Sequence, residues 1–291
     1  MLYSYSDSDH YYGGEKRDFG VERSVQPSTL SNEFTGILEA DVTEKFSVVA
    51  EVPFMYTRQV RGLGGVSGAM VAAGLGDVRA MARAWLLDTD PSFRLYGGLG
   101  LRLPTGASDE KFTAQNGTRV SKDLAAQPGT GNVAAILEVG GSARMAERVG
   151  IYYRARYIVT PYSETDAKNF RNELTNTGPR RNSDSDSATV VIGSIWSITQ
   201  DSPDSEPSAF GQVAATLGVQ AAWVPYHDLI GATKGFRRAG IILFVEPGLS
   251  WSPRPTVTTT LSVPITVYRK IQRNAGNIPE IIAQASVTFT F

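Results

Sequence analysis

The chain has 291 residues with a formal net charge of −1, 42% apolar and 20% charged residues, two histidines and no cysteine. That composition excludes a disulfide framework and any thiolate metal site, and the scattered lysines and arginines form no basic stripe for nucleic acid. No stretch approaches the roughly 18 consecutive apolar residues of a membrane helix, so a bilayer-spanning version of this chain must span with strands.

Read from the start, Met1-Leu2-Tyr3-Ser4 already has strand character, and we expect a mature sequence whose export signal has been removed. The absence of cysteine fits passage through an oxidising periplasm. Apolar alternation with a period of two marks about twelve strands, near residues 2–12, 30–42, 46–60, 75–87, 92–104, 131–145, 149–161, 187–199, 209–224, 239–251, 256–270 and 281–291. The joints alternate in length. Thr43-Glu44-Lys45, Asp88-Thr89-Asp90-Pro91, Ala146-Glu147-Arg148, the stretch 201–207 and Ser252-Pro253-Arg254-Pro255 are tight. Those at 13–29, 61–74, 105–130, 162–186, 225–238 and 271–280 are long and mostly polar. Short turns on one rim and long loops on the other predict a single transmembrane antiparallel β-barrel over residues 1–291, with periplasmic turns and extracellular loops.

The alternation also assigns faces. Strand five sends Phe93, Leu95, Leu99, Leu101 and Leu103 toward lipid, which turns Arg94, Tyr96 and Arg102 inward. Strand four turns Asp77, Arg79, Met81, Arg83 and Trp85 inward. The same test places Glu33, Glu39 and Asp41 of strand two in the lumen, with Glu51 of strand three and Glu138 of strand six. Arg154 and Arg156 of strand seven and Glu246 of strand ten complete the lumen-lining set, and the last strands add Thr, Ser, Tyr268 and Lys270. An arginine turned to lipid near the midplane would cost about 2–4 kcal/mol, which is what forces the inward assignment. Two readings follow: a transverse field across a narrow pore that orients a polar or zwitterionic solute, or a paired network that fills the interior.

The apolar, uncharged segment 62–75 stands out among the loops. It fits a constriction at the mouth, a membrane-surface segment, a docking site for another envelope protein, or a simple strand extension. Phe46, Tyr56, Trp223 and Trp251 fit interfacial girdles. The last strand alternates through Ala283, Ala285, Val287, Phe289 and Phe291, and this terminal pattern resembles the signal that the assembly machinery of bacterial outer-membrane barrels reads.

Gly74-Leu75-Gly76-Asp77-Val78, followed by Gly98-Leu99-Gly100-Leu101-Arg102-Leu103-Pro104-Thr105-Gly106, resembles the paired GLGD and LPTG stretches of the outer-membrane transporters of the phenol meta-pathway-degradation-like family. The resemblance implies an outer-membrane barrel that passes hydrophobic or aromatic compounds. On the residues alone, Gly74 and Gly76 permit the turn into strand four, Asp77 sits at its rim, and Pro104-Thr105-Gly106 ends strand five. Asp77 and Arg102 are placed to pair across neighbouring strands.

Chemistry has little to stand on. His10 and His227 lack a nucleophile motif, the stretch 62–68 misses the dinucleotide fingerprint at Ser67, and Asn182-Ser183-Asp184-Ser185-Asp186 lacks the full calcium-loop pattern. We therefore expect no enzyme and no cofactor. The sequence reading is an outer-membrane channel for passive passage of small molecules. Its alternative is a barrel with a blocked lumen that anchors or docks an envelope complex.

Overall fold

Strand alternation carries through to three dimensions. The computed structural model describes residues 1–8, 11–13, 16–17, 28–63, 66–90, 92–113, 117–165, 168, 181–182, 184–199, 211–230, 239–254, 256–271, 276–277 and 279–289. Among them, twelve strands close into one antiparallel barrel. These are β1 (Leu2–Ser8), β2 (Ser28–Thr43), β3 (Phe46–Leu63), β4 (Val78–Asp90), β5 (Phe93–Leu103) and β6 (Ala134–Ala146). They continue as β7 (Val149–Val159), β8 (Ser187–Ser197), β9 (Gln212–Val224), β10 (Gly240–Arg254), β11 in two pieces (Val257–Ser262 and Ile265–Ile271), and β12 (Ile282–Phe289). Each strand pairs with its neighbours in chain order, and β12 closes on β1 with Leu2 opposite Ser286 and Ser6 opposite Ile282. Phe291 and His10 lie outside the described residues, as does the turn at 201–207.

The faces follow the period of two. On β3, Ser47, Val49, Glu51, Pro53, Thr57 and Gln59 are buried, while Val48 and Phe54 between them are exposed. Leu99 and Leu101 of β5 are 67% and 48% exposed, with Arg102 beside them at 8%. Phe46, Phe93, Trp196 and Trp251 at the tight-turn end, and Tyr56 and Trp223 at the other, all face outward, where amphipathic rings suit a membrane interface. Tight turns use local chemistry: the Thr43 hydroxyl accepts hydrogen bonds from the Lys45 and Phe46 amides at the β2–β3 joint. The joints after β4 and β10 are shorter than the sequence reading, because these strands run on to Asp90 and Arg254.

Two prolines mark where the ladder changes. β3 pairs with β4 as far as Glu51–Arg79, and from Phe54 onward with a separate strand, Val66–Leu75. Pro53 sits at that switch and its carbonyl accepts from the Gly76 amide at 2.8 Å, so its missing N–H costs no ladder bond. Pro264 occupies the break in β11. Beyond it a bulge sets Phe244 opposite Thr266 but Leu243 opposite Tyr268, and the extra residue reverses the faces. Tyr268 and Lys270 are therefore exposed and Arg269 turns inward, with Nη1 3.7 Å from Glu280, which corrects the assignment of the first two to the lumen.

The segment 62–75 is not a loop. Val66–Leu75 pairs with the upper half of β3 from Phe54–Leu75 to Leu63–Val66, forming a hairpin above the rim. Gly62 pairs with Ser67 and Arg61 with Gly68 across this hairpin, Gly64 and Gly65 lie outside the described residues, and among the described residues the stretch opens no helix.

Candidate functional site

The inward side chains of β2 to β7 meet in one ionic network. Arg83 of β4 donates through Nη1 to both Glu39 oxygens, at 3.1 and 3.0 Å. Its Nε reaches Glu138 Oε1 at 2.9 Å, and the Tyr96 hydroxyl donates to the same oxygen at 3.1 Å. Arg156 of β7 donates from Nε to Glu138 Oε2 at 2.7 Å, then forks onto Glu51 of β3 through Nη1 and Nη2 at 3.0 and 2.6 Å. Glu51 Oε2 accepts a further bond from Arg79 Nη1 at 3.0 Å. The chain of contacts therefore runs Glu39, Arg83, Glu138, Arg156, Glu51, Arg79, with acids and bases alternating and cancelling. The Glu138 side chain has no exposed surface. An unpaired carboxylate in that position would be expensive, so the partners and the burial come as a set. Val49, Met81, Ile136 and Ile158 pack together as an apolar cluster on the same inner face.

Nearer the long-loop rim, a second polar layer ties loops to the wall. Asp77 Oδ1 accepts from the Gly106 amide at 3.1 Å, and Oδ2 from the Thr130 amide and hydroxyl at 2.9 and 2.8 Å. The Thr105 hydroxyl donates to the Gly76 carbonyl at 2.8 Å and accepts from the Val78 amide at 2.9 Å. The two glycine-rich motifs thus form one structural unit that pins both ends of the loop 104–133. That loop carries a short hairpin (Lys111–Thr113 with Arg119–Ser121) and one 3-10 turn (Leu124–Ala126). It packs on the inner face of the hairpin above β3, burying Met70, Ala72, Val120 and Ala126. Lys122 Nζ caps the contact by donating to the Val71 carbonyl at 2.6 Å and to Glu110. Within the loop, Glu110, Lys111 and Arg119 with Asp109 and Lys122 line a polar hollow of about 520 Å³.

Arg102 has Asp184 at 3.1 Å and Asp77 only at 3.8 Å, too long for a hydrogen bond. The expected Asp77–Arg102 pair is thus the looser of two. Burial pushes the Asp184 carboxyl above the ordinary aspartate value, against the opposing pull of Arg102 and Asn132, and nearby Asp77 adds to the rise. Asp186 accepts from the Thr160 amide and hydroxyl, the Tyr157 hydroxyl and the Leu229 amide. The acids of the stretch 182–186 are thereby committed to fastening loops, a role that spacing alone did not suggest; Ser183 lies outside the described residues.

Of the remaining predicted lumen residues, Glu33 accepts from the Thr35 hydroxyl at 2.9 Å and Asp41 is exposed. Arg94 lies over the Trp85 ring at 4.1 Å, and Trp85 meets Tyr96 edge-on at 5.3 Å. Arg154 is exposed and Glu246 half-buried. His227 is exposed, edge-on to Tyr226 at 4.8 Å.

No protein-family model matches the chain, and no curated protein does. Among solved structures the chain is similar to an outer membrane channel from Pseudomonas putida F1, with a TM-score of 0.66 and 11% identity over 99% of this chain and 93% of that one. More distant are the β domain of the Bordetella autotransporter BrkA (TM-score 0.48, 13% identity, 100% and 98% covered) and the CymD monoaromatic hydrocarbon channel (TM-score 0.47, 12% identity, 100% and 88% covered). The first likeness shows the fold, an outer-membrane-type β-barrel.

Proposed function

We propose that the protein is a channel of the bacterial outer membrane for passive passage of small molecules, with an off-centre water path. One observation carries this reading. The inner faces of β9, β11 and β12 hold Thr216, Gln220, Thr258, Thr260, Gln284 and Ser286, all only half-buried, although they point into a closed barrel. Polar side chains that keep contact with water inside a barrel line a wet lumen. The ionic network then forms the opposite wall. The Pseudomonas barrel of the same fold is itself named as an outer membrane channel, which supports the reading. The resemblance of the docked Gly74–Val78 and Gly98–Gly106 stretches to the meta-pathway family adds hydrophobic or aromatic solutes as the cargo class.

A blocked barrel serving as an envelope anchor is the second reading. It is favoured by Arg156 bridging to Glu51 and by the packing of loop 104–133 on the inner face of the hairpin. Single-channel recording of the purified chain in planar bilayers separates the two. Stable open steps support the channel, and silence from a barrel shown to be folded by heat-modifiable migration on gels rejects it.

A further inference from the structure

Two charged side chains inside the barrel stand apart from the neutral network. Arg154 of β7 is exposed, and among the described residues it makes no hydrogen bond or salt bridge. It lies within electrostatic reach of Glu138 and Tyr96, but both Glu138 oxygens are already taken by Arg83, Tyr96 and Arg156. Glu246 of β10 is half-buried and also holds no hydrogen bond or salt bridge among the described residues. The two are one cation and one anion.

A single row of paired residues connects their neighbourhoods. Tyr152, Gly193, Gly218 and Glu246 stand opposite one another in turn across β7, β8, β9 and β10. The tip of the Tyr152 ring reaches over Gly193, where an added Cβ would come 2.3 Å from Cζ and from the hydroxyl oxygen, and that hydroxyl lies 3.0 Å from the Cβ position of Gly218. Two glycines therefore leave the room in which the Tyr152 ring extends along the wall. Arg154 is two residues along β7 on the same face as Tyr152. Three strand spacings leave about 14 Å of wall between the Tyr152 and Glu246 backbones, and the two charged side chains shorten that gap from both ends.

The geometry points to a dipolar solute site that selects small zwitterions. Arg154 takes the carboxylate, Glu246 takes the ammonium, and the Tyr152 face lies beneath the connecting chain and the cation. The network of Glu39, Glu51 and Glu138 with Arg79, Arg83 and Arg156 sums to zero, so it adds little net field beside this pair. The assignment rests on the channel reading, and puts small zwitterions in place of the hydrophobic or aromatic solutes that the family resemblance suggests.

The test is block of open-channel current through the full chain at neutral pH by ε-aminocaproate, with caproate and hexylamine as single-charge controls. Each exposed charge contact contributes a factor of about two to five, so the zwitterion should block at a concentration lower by that factor than either control. Arg154→Gln should abolish its advantage over hexylamine and shift the reversal potential in a salt gradient toward cations. Glu246→Gln should abolish its advantage over caproate and shift the potential toward anions. Equal block by all three probes in a conducting protein, or unchanged block in both variants, overturns the site and leaves the channel standing. Absence of conductance from a folded barrel overturns both.

Discussion

Glu51 of β3 and Arg156 of β7 are joined at 2.6 Å although three strands, β4, β5 and β6, lie between their own. Such a pair can form only through the interior, and it makes one wall of the barrel act as a cross-braced unit. Both side chains are largely withdrawn from solvent, at 7% and 14% exposed. Removing one partner would strand the other's charge, so Glu51→Gln and Arg156→Gln should each destabilise the barrel by about 3–5 kcal/mol. The double substitution should cost less than the sum. Guanidinium unfolding of the four proteins measures this, and additive losses would show that the two side chains are energetically independent.

Asp77 fastens both ends of the loop 104–133 through the Gly106 and Thr130 contacts. Asp77→Ala leaves those amides without their acceptor, a local loss of about 1–3 kcal/mol each if they stay dry. We expect the loop to become sensitive to added protease, while the unfolding midpoint of the barrel changes little. Protection equal to the wild type would mean that the Lys122 contacts with Val71 and Glu110 hold the loop alone.

Asp184 gives a pH dependence of definite sign. Its carboxyl is raised in the folded state, so the native protein binds this proton more tightly than the unfolded chain. The corresponding stability is fully present below the unfolded value, near 3.9, and is lost as pH rises through the folded value. The stability of the wild type relative to Asp184→Asn should therefore fall between acid and neutral pH. A difference that grows with pH would show that the Arg102 contact outweighs burial.

The twelve strands were legible because an apolar outer face and a polar interior impose a period of two that single residues such as Arg94, Tyr96 and Arg102 reveal. Cross-barrel partners were not legible. Nothing local in Glu51 or Arg156 names the other, since their meeting depends on closure and on the register of the strands between. Asp184 and Asp186 showed no role in the sequence beyond an incomplete calcium-loop pattern, because their partners, Arg102, Thr160 and the Leu229 amide, are distant in sequence. Tyr268 and Lys270 were misplaced for another reason. A bulge of one residue reverses the faces, and the residues beside it carry no distinct signature.

Adjacent glycines on β6 offer a test of the packing on the two sides of the wall. Gly140 faces inward beneath Tyr96, where an added Cβ would lie 2.5 Å from the hydroxyl oxygen. Gly141 faces outward beneath Tyr153, whose hydroxyl donates to the Arg94 carbonyl at 3.0 Å; there an added Cβ would lie 2.0 Å from that carbonyl oxygen. A ring can swing aside, at the expense of the Tyr96 bond to Glu138, whereas a strand carbonyl moves only if the β5–β6 ladder shifts. Gly140→Ala should therefore cost about 1–3 kcal/mol and disturb the ionic network. Gly141→Ala should cost more and impair assembly of the barrel, read as a reduced folded fraction on refolding into detergent. The reverse order of damage would mean that the β5–β6 ladder is more pliable than the Tyr96 ring packed against it.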